Sequence, residues 1–127
     1  MIETLPPWLS PLASAVRNVT AEQISQYIPP PGTVWRSSAV LVCLGETDGE
    51  PDVVLTQRPT TMPSHPGQVA FPGGATDPED AGNPVTTALR EALEEVELDP
   101  ATVTVFAQLP ALWLRASGFQ AVPVLGW

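Results

Sequence analysis

Read from the N-terminus, the chain changes its hydrophobic period several times. Pro7 to Val16 has apolar residues at helical spacing, and Thr20 followed three residues later by Gln23 has the form of a capping box. Two short helical pieces are therefore expected before Pro29-Pro30-Pro31-Gly32 interrupts the chain. From Trp35 to Gly45 β-branched and apolar residues dominate, and Asp52 to Gln57 forms a second such run across the polar turn Glu46-Thr47-Asp48-Gly49-Glu50, which predicts a β-hairpin. Arg58 to Gly67 is proline-rich and aperiodic and reads as a loop. Gln68 to Phe71 predicts a brief strand, ending at the turn Pro72-Gly73-Gly74.

Asn83 followed by Pro84 is a strong helix start, a capping residue and then proline at the first helical position. The helix should run to Val96, with Val85, Ala88, Leu89, Ala92, Leu93 and Val96 on one buried stripe. Glu91 and Glu95 fall together on another flank with Glu94 beside Glu91, so three carboxylates share one patch. Thr102 to Gln108 and Gln120 to Leu125 are further strands, and Leu109 to Ser117 has no clear period. The pattern divides the chain into a helical N-terminal extension over 1–32 and an α/β domain over 33–127.

Composition narrows the class. With 127 residues, 43% of them hydrophobic, one small globular core is expected. The longest apolar run, Ala39 to Leu44, falls far short of the ~20 residues a membrane helix needs, and no basic region followed by an apolar stretch opens the chain, so a cytoplasmic location is expected. The single cysteine, Cys43, sits where a strand core would place it. A net charge of −9, from 14 acids against five arginines and no lysine, argues against a nucleic-acid backbone or an anionic membrane as the main partner.

Eight of the 14 acids lie between residues 77 and 99, with Arg90 the only base among them. A charge run of this kind is ordinarily a solvated face. Here, however, Glu91 and Glu95 repel at i,i+4, at ~0.2–0.5 kcal/mol, and acids in the last turn oppose the helix dipole, at ~0.3–1 kcal/mol each. Such concentrated violations suggest compensation by a bound cation, and an all-oxygen donor set favours Mg²⁺ or Mn²⁺ over zinc. Arg90 is placed to pair with Glu94 one turn on, and Gly73 and Gly74 let the backbone approach a ligand closely.

Arg90-Glu91-Ala92-Leu93-Glu94-Glu95-Val96-Glu97-Leu98, preceded by Gly73-Gly74, resembles the Nudix box, G-x5-E-x7-R-E-U-x-E-E-x-G-U with U an apolar residue. The segment from Leu55 to Gly74 is similar to a second signature, that of the coenzyme A pyrophosphatase subgroup. The resemblance implies an α/β/α sandwich with a mixed sheet and a small-molecule nucleotide substrate. It implies metal-dependent cleavage of a diphosphate bond, in this subgroup that of coenzyme A, giving 3′,5′-ADP and 4′-phosphopantetheine. Glu91 and Glu95 match metal ligands, Glu94 a further ligand or candidate base, the Gly73 carbonyl a backbone ligand, and Arg90 the residue that orients the first glutamate. Arg58, His65 and Gly74 are the candidate substrate contacts, and a homodimer stays open.

The pattern departs from the family in three places. Glu97 stands where the box has glycine. The interval from Gly74 to Arg90 is two residues longer than usual, and counting eight back from Arg90 lands on Gly82 rather than on a glutamate, so Glu79 or Asp80 is left to fill that place. Gly118 to Trp127 reads as an inner strand beyond which relatives continue, so the domain is expected to be truncated at its C-terminus. Two alternatives accompany the main expectation: another nucleoside-diphosphate substrate such as ADP-ribose or NADH, and a non-catalytic Nudix-like fragment.

Overall fold

The computed structural model describes residues 5–63 and 66–127. Its central element is strand β1 (Arg36–Thr47), where Ala39, Leu41 and Cys43 are buried and alternate with half-buried Val40 and Val42. That period of two makes one face of the strand a core surface. β1 turns into β2 (Glu50–Val53) through Asp48 and Gly49, both left-handed at φ 54 and 79, as a two-residue hairpin turn requires. The predicted hairpin forms, but its second arm stops at Val53. The rest of the expected run, Thr56–Gln57, is β3 and pairs separately with β4 (Val69–Ala70).

Pro72-Gly73-Gly74, read from sequence as a turn, leads into a strand of its own. β5 (Gly73–Ala75) pairs antiparallel with residues 38–40 of β1, on the same edge as β2. A missing side chain explains why: a Cβ on Gly73 would stand 2.5 Å from the Ala39 carbonyl oxygen and 2.8 Å from the Val40 Cα.

β6 (Val105–Gln108), β7 (Leu112–Leu114) and β8 (Phe119–Gly126) complete a mixed sheet, so part of the stretch without a clear period is a strand. β8 lies parallel to β1 in the interior, as expected of an inner strand, and β6 and β7 flank its other edge antiparallel.

The helices α1 (Ser10–Ala15) and α2 (Ala21–Ile24) form in the N-terminal segment, and Thr20 and Gln23 cap α2 as a box. Leu9 and Val16 are buried, and the Trp8 indole donates to Glu46 and meets the Trp127 ring edge-on. Helix α3 (Pro84–Val96) begins at Asn83, whose side chain accepts from the Val85 N–H at 3.0 Å. Ala88 and Ala92 let it close onto Ala39, Leu41, Cys43 and Val124, and burying a side chain such as Leu41 contributes about 1.5–3 kcal/mol. The buried stripe differs from the expected one: Leu93 is 46% exposed and Thr87 is fully buried. Among the described residues no helix is long and apolar enough to cross a membrane.

Candidate active site

Arg90 is the hub around which the acidic patch is built. Its Nε and Nη2 donate to the two carboxylate oxygens of Asp80 at 3.1 and 3.0 Å, a bidentate fork. Nη2 also donates to the Ala75 carbonyl at 3.1 Å, and Nη1 reaches Glu91 Oε1 at 3.1 Å and both Glu94 oxygens at 3.4 Å. The expected Arg90–Glu94 pair is therefore present, but it is the longest of these contacts and the most exposed.

Asp80 is the residue that the sequence left unassigned. It is 2% exposed and accepts from the Thr87 hydroxyl and the Asp77 N–H, each at 2.9 Å, as well as from Arg90. Hydrogen bonds from Arg90, then from the Asp77 backbone, hold its carboxyl well below the usual carboxylate range. The same pairing raises the Arg90 guanidinium still further above its ordinary value. A signal for Asp80 did exist. Counted forward from Gly74, G-x5-E lands on Asp80, and the two surplus residues fall immediately after it, where Ala81 (φ 52) and Gly82 (φ 74) both turn left-handed. Counting back from Arg90 crosses that kink and misses it.

Glu91 and Glu95 meet at the glycine strand. A Cβ on Gly74 would lie 2.6 Å from Glu91 Cδ and 2.6 Å from its Oε1, so the carboxylate occupies the space that glycine leaves. Loss of hydration pushes the Glu95 carboxyl up; a hydrogen bond from the Gly73 backbone opposes this, and the Glu91 charge and a hydrogen bond between the two side chains add to the rise. Glu94, expected in the same patch, turns to Arg90, and its side chain is 56% exposed. Among the described residues no three acidic, histidine or cysteine side chains converge on one point as they stand. The pair that could hold a cation is thus Glu91 with Glu95. Such a pair fits a magnesium-like ion, which is commonly held by one or two carboxylates and completes its shell with water and substrate phosphate oxygens.

Residues 35–117 match the NUDIX domain family. The chain belongs to the Nudix family. Nudix hydrolase NudL of Enterobacter sp. (strain 638) is 46% identical over 91 residues, covering 72% of this chain and 46% of that protein. A Klebsiella aerogenes protein of the same name is 47% identical over 91 residues, covering 72% of this chain and 73% of its own length. The chain spans about half the length of most of these curated relatives, 46% of the Enterobacter protein and of the Escherichia coli (strain SMS-3-5 / SECEC) one. Among solved structures, the C. elegans Ap4A hydrolase superposes with a TM-score of 0.59 at 23% identity, over 73% of this chain and 67% of that one. The NUDIX domain of Shewanella oneidensis NrtR, solved with ADP ribose, gives a TM-score of 0.53 at 22% identity, over 85% and 68%. At those identities the likeness is one of fold, and it agrees with the α/β architecture expected from sequence.

In the Nudix frame, Glu97 is the left-handed residue that ends the helix, at φ 58. Its N–H donates to the Leu93 carbonyl at 3.0 Å, so the helix exit keeps its glycine-type geometry without the glycine. Arg58 closes the β3–β4 hairpin through its backbone N–H to the Gln68 carbonyl at 2.8 Å. His65, the other upstream candidate, lies outside the described residues, as does Ser64.

Proposed function

We propose that the domain carries the site of a metal-dependent pyrophosphohydrolase acting on coenzyme A or its derivatives, with release of 3′,5′-ADP and 4′-phosphopantetheine. The observation that carries this reading is the Glu91–Glu95 pair seated on Gly73 and Gly74 and tied through Arg90 to Asp80. A bound Mg²⁺ or Mn²⁺ would supply charge neutralisation at the diphosphate and acidification of the attacking water. Glu91 and Glu95 would hold it, together with the Gly73 carbonyl. Arg90 fixes the rotamer of Glu91 and is itself fixed by Asp80, so the carboxylate geometry exists before substrate arrives. Glu94, exposed and held by Arg90, is the candidate base or a further ligand. Gly74, Arg58 and His65 are proposed substrate contacts. The choice of coenzyme A rests on the Leu55–Gly74 segment, which resembles that subgroup's signature.

The test is a substrate panel under Mn²⁺: coenzyme A, ADP-ribose and NADH, with Glu95→Gln beside the parent chain. Release of 3′,5′-ADP by the parent and not by Glu95→Gln is expected. Activity on ADP-ribose or NADH alone would move the assignment to another nucleoside-diphosphate substrate. Absence of turnover on all three would leave a non-catalytic Nudix domain.

A further inference from the structure

Alternation along β1 turns Ser38 and Val40 to the sheet face opposite α3, and that face carries a second constellation. Arg36 and Phe119 are cross-strand partners, with the Arg36 guanidinium 4.0 Å from the Phe119 ring centroid. Beside them the Arg115 guanidinium stacks 4.5 Å from the Tyr27 centroid, and Tyr27 lies 6.1 Å from the Trp35 ring. Tyr27, Trp113, Leu114 and Arg115 line a cleft of about 460 Å³ between the N-terminal segment and the β7–β8 turn. A shallower hollow of about 250 Å³ shares Leu114 as a wall and extends past Phe119, Ala121 and Val40 to Gly73 and Gly74.

Arg36 and Arg115 lie outside the acidic cluster that surrounds Arg90. The chain has 14 acids for five arginines. Arg90 is surrounded by four carboxylates. Among the described residues, neither Arg36 nor Arg115 has a carboxylate within ion-pairing distance, although acids are in nearly threefold excess. Stacking on an aromatic ring uses none of the five guanidinium donors, so Arg115 keeps its fork for an anion. The same aromatic group contains Trp35, whose buried Nε1–H has no hydrogen-bond partner. Aromatic faces next to a guanidinium recognise a planar base with a phosphate attached to its sugar. The span also fits. Ala75, Ser38, Ala121 and Leu112 are successive register partners across four strands. Three interstrand steps give about 14 Å, close to the length of an extended nucleoside diphosphate.

We propose that the Tyr27–Trp113–Arg115 cleft is the nucleoside subsite: the purine lies against the aromatic rings and a ribose phosphate sits on Arg115. The diphosphate then passes the edge strand β5 at Gly73 and Gly74, which wall the hollow, toward Glu91 and Glu95. The position of the diphosphate rests on the proposed reaction; binding of the nucleotide by the cleft does not.

The probe is adenosine 3′,5′-bisphosphate, titrated without divalent metal onto the full chain and its variants by tryptophan fluorescence and calorimetry. Arg115→Ala is expected to weaken the bisphosphate about tenfold or more while leaving adenosine unchanged. Tyr27→Ala should weaken both by about 5- to 150-fold, and Tyr27→Phe should retain both. Bisphosphate affinity indifferent to Arg115→Ala, or no binding at millimolar concentration, would overturn the subsite. The two proposals fail separately. Arg115-dependent binding without hydrolysis of coenzyme A sinks the reaction and keeps the subsite, whereas hydrolysis with a KM untouched by Arg115→Ala does the reverse.

Discussion

Gly73 and Gly74 are adjacent, yet alanine at each should fail in a different way. At Gly74 the new Cβ would stand 2.6 Å from Glu91 Cδ. Ordinary carbon contact begins near 3.5 Å, so the carboxylate must retreat by about 1 Å. That atom is the end of a flexible side chain, so the fold can absorb the change. Restricting the unfolded chain also returns about 0.4–1 kcal/mol, and the melting temperature should move little. A displacement of about 1 Å in a catalytic group, by contrast, costs on the order of 100-fold in turnover. At Gly73 the new Cβ meets backbone, the Ala39 carbonyl oxygen at 2.5 Å and the Val40 Cα at 2.8 Å, and the central strand cannot step aside. Overpacking of that kind costs about 1–3 kcal/mol or more. Urea denaturation of both variants, with Mn²⁺ affinity by electron paramagnetic resonance and turnover on coenzyme A, separates the outcomes. Gly74→Ala should be stable and impaired, Gly73→Ala unstable. A Gly74→Ala protein with Mn²⁺ affinity and turnover within twofold of the parent would refute the idea that glycine seats Glu91.

Asp80→Asn keeps the shape of the buried fork and removes its charge, so turnover is expected to fall about 10- to 100-fold through Glu91, as when a residue that orients a metal ligand is lost. Because the Asp80 carboxyl is held below its unfolded value, its stabilisation is complete above the ordinary aspartate range near pH ~3.9 and is lost as the pH falls toward the depressed value. Below about pH 4 the parent should therefore lose stability more steeply than Asp80→Asn in acid titrations followed by circular dichroism; parallel curves would exclude Asp80 as the linked group. Glu97→Gly relieves a left-handed non-glycine residue at φ 58 and should stabilise the chain by about 1 kcal/mol in urea denaturation, without changing turnover. A loss of stability would mean that the Glu97 side chain contributes contacts outweighing the backbone strain.

Much of this protein was legible from sequence because the signals were local. Asn83-Pro84 fixes a helix start by chemistry confined to a few residues, and the alternation of Ala39, Leu41 and Cys43 marks a core strand whatever it later packs against. The box from Arg90 to Glu95 likewise sits within two helical turns, so its spacing alone puts Glu91 and Glu95 on one flank. Tertiary structure decided what depends on distant partners. Leu93 reads as core on a helical wheel yet is 46% exposed, while Thr87 is buried with its hydroxyl bonded to Asp80 and Thr76. Glu94 belongs to the carboxylate patch by spacing, and in the fold it shares the Arg90 Nη1 with Glu91 rather than meeting Glu95 on the glycine strand. Gly73 and Gly74 look like a turn until β1 lies alongside, since a strand of three residues holds its shape only through the neighbour it pairs with. The helix supplies the acids by sequence; the glycine strand and the buried Asp80, joined only in the folded chain, decide which of them face one another.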